Sequence, residues 1–218
     1  MTTLTGDAII VATGSVPFFP PNLKPNGKTV IAPRFFSGLK ALPGSMVVIG
    51  AGATGVEAVY LFNRLGLAVT WIVDQLGVLP DYPAAAGTLI ADILVKRGVK
   101  LVQGTLADHF EEEGDGVAVV LADGRRYTAG LAFVAIGRLS DLSRLNLEAA
   151  GLSVEPRTFP TTNEFCKTAV SSTPTASFCP LHDMSNNVAA TNRNTKTTSC
   201  LKVYGKFTFL SSLLIGLF

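Results

Sequence analysis

Gly50-Ala-Gly-Ala-Thr-Gly55 sets three glycines at G-x-G-x-x-G spacing directly after an apolar run at residues 46–49. Each glycine has its own task in holding a pyrophosphate. Gly50 permits a tight turn out of a strand, Gly52 lets a phosphate approach the backbone, and Gly55 lets a helix pack closely on the strand. Ala53 and Thr54 would open that helix, whose first N–H groups have no intrahelical acceptors and attract anions. Two carboxylates complete the set. Asp74 follows the next apolar run, residues 68–73, where an acid can accept hydrogen bonds from ribose hydroxyls, and Glu57 lies two residues beyond the third glycine. The chemistry these residues could serve is the binding of a dinucleotide. A purely structural glycine turn is the competing reading, because the triplet alone recurs by chance.

The surrounding sequence supplies elements able to position such a turn. Residues 46–49 read as a strand buried on both faces, bounded by Pro43-Gly44 and by Gly50. Val56, Val59, Tyr60, Phe62 and Leu65 then recur at helical spacing until Gly66 supplies a stop. Residues 68–73 form a second strand, 84–97 a second helix closed by Gly98, and 99–102 a third strand. Strand and helix alternating over short connections predict a parallel α/β sheet of Rossmann-like type.

Composition narrows the classes of partner. The chain has 218 residues, 48% of them hydrophobic, which suits a globular core. Lys and Arg number 18 against 16 Asp and Glu, with no basic run, so a nucleic-acid partner is not expected. Cys166, Cys179 and Cys200 are odd in number and widely spaced, which argues against a metal site or redox dithiol and for a reducing, cytoplasm-like compartment, with an organelle as the alternative to the cytoplasm. The N-terminal apolar run lacks a basic flank and reads as a strand, not as a signal peptide. From Ser171 the sequence turns to Ser, Thr and Asn without period, and residues 171–218 are expected to form an atypical, disordered tail. Its apolar end, residues 207–218, would reach only ~18 Å as a helix against ~30 Å of hydrocarbon, so no membrane span is expected.

Three further stretches carry a family resemblance. Ala8-Ile-Ile-Val-Ala-Thr-Gly-Ser-Val-Pro17 resembles the A-T-G-x-x-P segment that precedes the NAD(P) domain in flavoproteins with two dinucleotide domains. Phe133-Val-Ala-Ile-Gly-Arg138 is similar to their second such segment, which brings Ile136 and Gly137 to the nucleotide. Thr162-Asn-Glu-Phe-Cys-Lys-Thr-Ala-Val170 resembles the T-N-E-x-x-x-T-x-V run that follows. Order and spacing over residues 6–170 resemble the pyridine nucleotide-disulfide oxidoreductases, nearest their dihydrolipoamide dehydrogenase, soluble transhydrogenase and mercuric reductase-like members. That family carries a three-stranded antiparallel meander after the second helix. Turn signals at Gly114-Asp-Gly116 and Asp123-Gly124 flank strands at 117–121 and 125–128, and residues 131–136 return apolar. Glu111-Glu-Glu113 reads as a solvated turn and not a metal site, since adjacent carboxylates do not converge on one ion.

The resemblance implies an organisation and a function. Residues 1–40 correspond to a remnant of the FAD domain and the connection after it, 41–138 to the NAD(P) domain and 139–170 to a partial return to the FAD domain. Hydride transfer between a nicotinamide and FAD is the implied chemistry, with a dinucleotide as partner. The FAD phosphate loop, the redox C-x4-C, the Gly-Asp segment and the interface domain that makes the family's homodimer are not found in the sequence. FAD is therefore not expected to be retained, and no residue is assigned a catalytic role. Glu57 matches an acid that pairs in several members with a lysine beside the flavin, here without that lysine's helix. His109 and His182 read as surface histidines lacking a partner acid. Asp74, with no Arg or Lys in the following Gln75-Leu-Gly77, favours NAD(H) over NADP(H), although family counting places the acid at Val73. A non-catalytic nucleotide-binding module, or a nonproductive truncated product, is the alternative function.

Overall fold

The structure, a computed structural model, describes residues 8–142, 145–154, 160–163, 167–168 and 175–178. The strands and helices, in chain order, are β1 (Ala8–Val11), β2 (Ser15–Pro17), β3 (Val30–Ile31), β4 (Ser45–Ile49), α1 (Ala53–Arg64), β5 (Ala68–Val73), α2 (Ala84–Lys96) and β6 (Lys100–Gln103). Then come β7 (Ala107–Glu113), β8 (Gly116–Leu121), β9 (Arg126–Ala129), β10 (Leu131–Val134), β11 (Arg138–Ser140) and β12 (Thr175–Phe178). The protein is mixed α/β: among the described residues a five-stranded parallel sheet stands beside a three-stranded antiparallel one, with two further two-stranded pairs, one parallel and one antiparallel.

One compact unit covers residues 18–137. Its sheet has the order β3-β10-β4-β5-β6, all parallel. Alternation along each strand sends side chains to two different cores. Met46, Val48, Trp71 and Val73 pack with Val56, Val59, Phe62 and Leu94 of the helices. Val47, Ile49, Ile72 and Val102 pack with Val117, Val119 and Leu121 of β8. Both faces are thus covered, which is why these strands read as unbroken apolar runs. Phe62 meets Phe36 and Phe133 edge-on, with ring centroids 5.4 and 5.3 Å away. Such pairs add about 0.5–1.5 kcal/mol beyond burial.

The helices begin and end as the sequence predicts, because their stops are local. Gly66 and Gly98 follow them with φ of +86° and +92°, a conformation that costs glycine nothing. Residues 18–40 belong to this unit and contribute β3 to its sheet.

The antiparallel meander follows α2 as expected. Its strands are β7, β8 and β9, whereas the apolar residues 131–134 form β10 between β3 and β4 in the parallel sheet. An apolar strand with all four residues buried fits the middle of a covered sheet, not the half-exposed meander. Glu111-Glu-Glu113 is accordingly the end of β7 and not a turn. Its exposed side chains alternate about the strand, and Glu111 and Glu113 both bind Arg126 of β9 across β8.

The second unit comprises the described residues before 18 and after 137. In it β11 pairs antiparallel with β2, and Arg138 donates to the Ser15 hydroxyl at 2.7 Å and carbonyl at 2.6 Å. β12 runs parallel to β1, with Ala8 opposite Thr175 and Val11 opposite Phe178. β12 falls within the segment from Ser171 that was expected to be an atypical, disordered tail, the remainder of which lies outside the described residues. Main-chain pairing with β1 depends on backbone groups that every residue carries, so the polar composition did not forecast it. His182, the three cysteines and residues 207–218 lie outside the described residues. Among the described residues no helix is long and apolar enough to cross a membrane.

Candidate functional site

The glycine turn lies at the C-terminal end of β4, where the chain leaves toward α1 and β5 on one side while β10 flanks the other. Such a reversal of strand order opens a crevice beyond the carboxyl ends of the strands, the usual place for a ligand in open α/β sheets.

The three glycines occupy three different environments. Gly50 has φ +108°, and a Cβ there would lie 2.2 Å from the Ala135 carbonyl oxygen. Gly55 is buried, and a Cβ there would lie 2.1 Å from the Gly50 carbonyl oxygen. Neither tolerates a side chain, because both clashes are with backbone. Gly52 is the opposite case: it is exposed, has φ −69°, and a Cβ would meet nothing within 4 Å. The fold itself therefore gives no reason for glycine at 52, whereas an anion resting on the backbone does.

Gly52 is also the N-cap of α1. No side chain caps this end, and its first turn carries no acid. The amides of Ala53, Thr54 and Gly55 are among those a helix leaves without intrahelical acceptors. Their partial positive charge, reinforced by the helix dipole, suits a phosphate. On the far side, Ala135, Ile136 and Gly137 follow β10; the Ala135 amide donates to the Ile49 carbonyl at 2.9 Å, which keeps this segment against the turn.

Asp74 comes directly after β5. Its Oδ1 accepts from the Leu76 amide at 2.9 Å, and its carbonyl from the Gly77 amide at 3.2 Å, so the chain turns at once. This Asx-turn bears on the one-residue offset from the family position, since strand alternation no longer dictates which way Asp74 points.

Glu57 lies one turn into α1, half-buried, with Oε1 buried and lacking a hydrogen-bond partner among the described residues. Burial pushes its carboxyl above the usual carboxylate range.

Two residues at the turn were not anticipated. The Trp71 indole N–H donates to the Gly50 carbonyl at 2.9 Å. The Leu79 amide donates to the Ala51 carbonyl at 2.8 Å, and Leu79 is the one non-glycine among the described residues with positive φ, +52°. In sequence Trp71 is only one more apolar strand residue, and Leu79 only a loop residue before a proline.

His109 also differs from expectation, since it does have acidic partners. Its Nδ1 lies 2.8 Å from Asp108 and its Nε2 3.5 Å from Glu111. It belongs to the exposed face of the meander and not to the glycine turn. A cavity of about 650 Å³, lined by Lys28, Thr29, Leu42, Glu112 and Asp115, lies at the N-terminal ends of the strands, away from the glycines. Among the described residues no cluster of His, Cys, Asp or Glu could hold a metal ion.

The chain is 34% identical over 148 residues to an NAD(P)H dehydrogenase (quinone) of Mycobacterium tuberculosis, covering 68% of this chain and 30% of that protein. It is 35% identical over 172 residues to a dihydrolipoyl dehydrogenase of Chlorobaculum parvum, covering 75% and 35%. It thus spans about a third of the length of these curated relatives. The crystal structure of LpdA from Mycobacterium tuberculosis superposes with a TM-score of 0.74 at 27% identity, over 95% of this chain and 42% of that one. The family model described as pyridine nucleotide-disulphide oxidoreductase matches residues 1–172, and the chain belongs to that family.

Proposed function

We propose that this chain is the NAD(P)H-binding portion of a flavin-dependent oxidoreductase and that it binds NAD(H) in preference to NADP(H). The observation that carries the reading is the contrast among the glycines. Gly50 and Gly55 are required by packing, whereas Gly52 is open at an uncapped helix start, where only an approaching ligand needs the missing Cβ.

On this reading the pyrophosphate rests on the amides at the start of α1. Asp74 accepts hydrogen bonds from the adenosine ribose and repels a 2′-phosphate. Ile136 and Gly137 line the crevice on the β10 side. A bound nicotinamide supplies hydride chemistry, for which FAD is the acceptor in the complete enzyme. The residues named here bind and orient the cofactor.

Titration of the purified chain with NADH and NADPH tests the reading. NADH is expected to bind more tightly, and Gly52→Ala to weaken that binding without lowering thermal stability. Equal or tighter NADPH binding would overturn the preference for NAD(H). Absence of binding by either cofactor would overturn the site. A further expectation is that the chain passes gel filtration colourless near 450 nm, because the flavin pyrophosphate needs a second glycine turn of the same kind.

A further inference from the structure

We infer that Trp71 is a positioning residue for dinucleotide binding: its indole N–H fixes the Gly50–Ala51 peptide so that the Ala51 amide faces the pyrophosphate. The inference rests on the reading that residues 50–55 receive a dinucleotide.

Trp71 is fully buried in β5, beneath the turn, and is the sole tryptophan of the chain. Its Nε1 donates to the Gly50 carbonyl at 2.9 Å. That same carbonyl is backed by Gly55, where even one added carbon would come within 2.1 Å of it. The oxygen is thus held from two sides. In a planar trans peptide the N–H points opposite to the C=O, so fixing the Gly50 oxygen fixes the direction of the Ala51 N–H. Gly50 adopts φ +108°, in a region where glycine has wide freedom, so the turn needs a restraint that its own backbone does not provide.

The next peptide is restrained in the same manner. The Ala51 carbonyl accepts from the Leu79 amide at 2.8 Å. Leu79 holds φ +52°, unfavourable for a branched aliphatic residue, with its side chain buried in the helix-side core. Two consecutive carbonyls of the turn, which would repel a phosphate if they swung outward, are therefore tied to β5 and to the loop after it. β5 and that loop also carry Asp74, so ribose and pyrophosphate recognition share one support.

A tryptophan that merely filled the core would affect all ligands alike, so the test compares ligands. Replacing Trp71 by the benzothiophene isostere of tryptophan removes only the donor, and Trp71→Phe removes donor and volume. Affinity for ADP, which carries the pyrophosphate, is expected to fall roughly tenfold with the isostere, the scale of one lost hydrogen bond, while adenosine binding stays unchanged. Unaltered ADP binding, or equal losses for ADP and adenosine, would overturn the inference. If the wild-type chain binds neither ADP nor NADH, the underlying reading falls and the inference with it. Wild-type protein with a 15N-labelled indole gives a second test that needs no variant. Its single indole resonance should be protected from exchange and should shift with ADP but not with adenosine. A rapidly exchanging indole proton unmoved by ADP would overturn the inference.

Discussion

At the scale of single residues, glycine 52 can be separated from glycine 55 by substitution. Gly55→Ala forces a methyl into the Gly50 carbonyl and should cost about 1–3 kcal/mol or more, read as a lowered denaturant midpoint. Gly52→Ala should leave stability within about 0.5 kcal/mol, since the position is open and its φ suits any residue. If Gly52→Ala unfolded the protein, its glycine would have a structural cause instead. Asp74→Ala should weaken NADH binding by about 1–3 kcal/mol, the scale of a charge-assisted hydrogen bond, and the loss should be smaller for NADPH. Glu57 gives a prediction in pH. Its folded-state pKa is raised by burial, so the folded protein holds the proton more firmly than the unfolded chain does. That contribution is full below the ordinary carboxylate range and declines as pH rises through the raised value. Glu57→Gln should therefore raise the melting temperature at about pH 8 and change it little at about pH 4. A variant less stable than wild type at both values would mean that the carboxylate has a partner. The glycines and acids were legible because spacing alone brings them together. Trp71 and Leu79 were not, since their roles arise from hydrogen bonds between segments distant in sequence.

At the scale of elements, the βαβαβ core was legible because its periods and stops are local: β5 is the 68–73 run, and α2 ends just before Gly98. Edges were harder. β3 has only two residues, and its place beside β10 is a matter of topology. β7 ends as an acidic run because both sides of that end are solvated, with charges on one side held by cross-strand contacts instead of burial. Val120 stands opposite Arg126 and Ala118 opposite Glu111, and Arg126 reaches Glu111 and Glu113 diagonally over β8. His109 joins that surface network. Asp108, mainly through its hydrogen bond, and then Glu111 stabilise its protonated form, and its pKa is raised. The stabilisation is present below the ordinary histidine pKa and is lost as pH rises through the raised value. An NMR titration should place the His109 midpoint above about 6.5, and Asp108→Asn should lower it. A midpoint unchanged by that substitution would mean that Asp108 does not hold the ring in solution.

At the scale of the whole molecule, the chain carries a complete core inside an incomplete match. It spans about a third of its curated relatives, yet every residue of both buried clusters falls within residues 18–137. Each face of the parallel sheet is covered from within that unit, by α1 and α2 on one side and by β8 on the other. A unit whose apolar surface is buried by its own elements has what independent folding requires. The proposed dinucleotide groups from Gly50 to Gly137 also lie within it. A fragment of residues 18–137 should therefore unfold in one cooperative transition, and its affinity for NADH should match that of the full chain. Ligand present at a hundred times its dissociation constant should stabilise it by about 2.7 kcal/mol, read as a higher melting temperature. Urea unfolding followed by circular dichroism and by Trp71 fluorescence provides the check, since the two signals report backbone and core separately. Non-coincident transitions would show that the unit needs support from residues 8–17 or 138–178. Coincident transitions with no response to NADH would leave the fold intact and remove the dinucleotide from it.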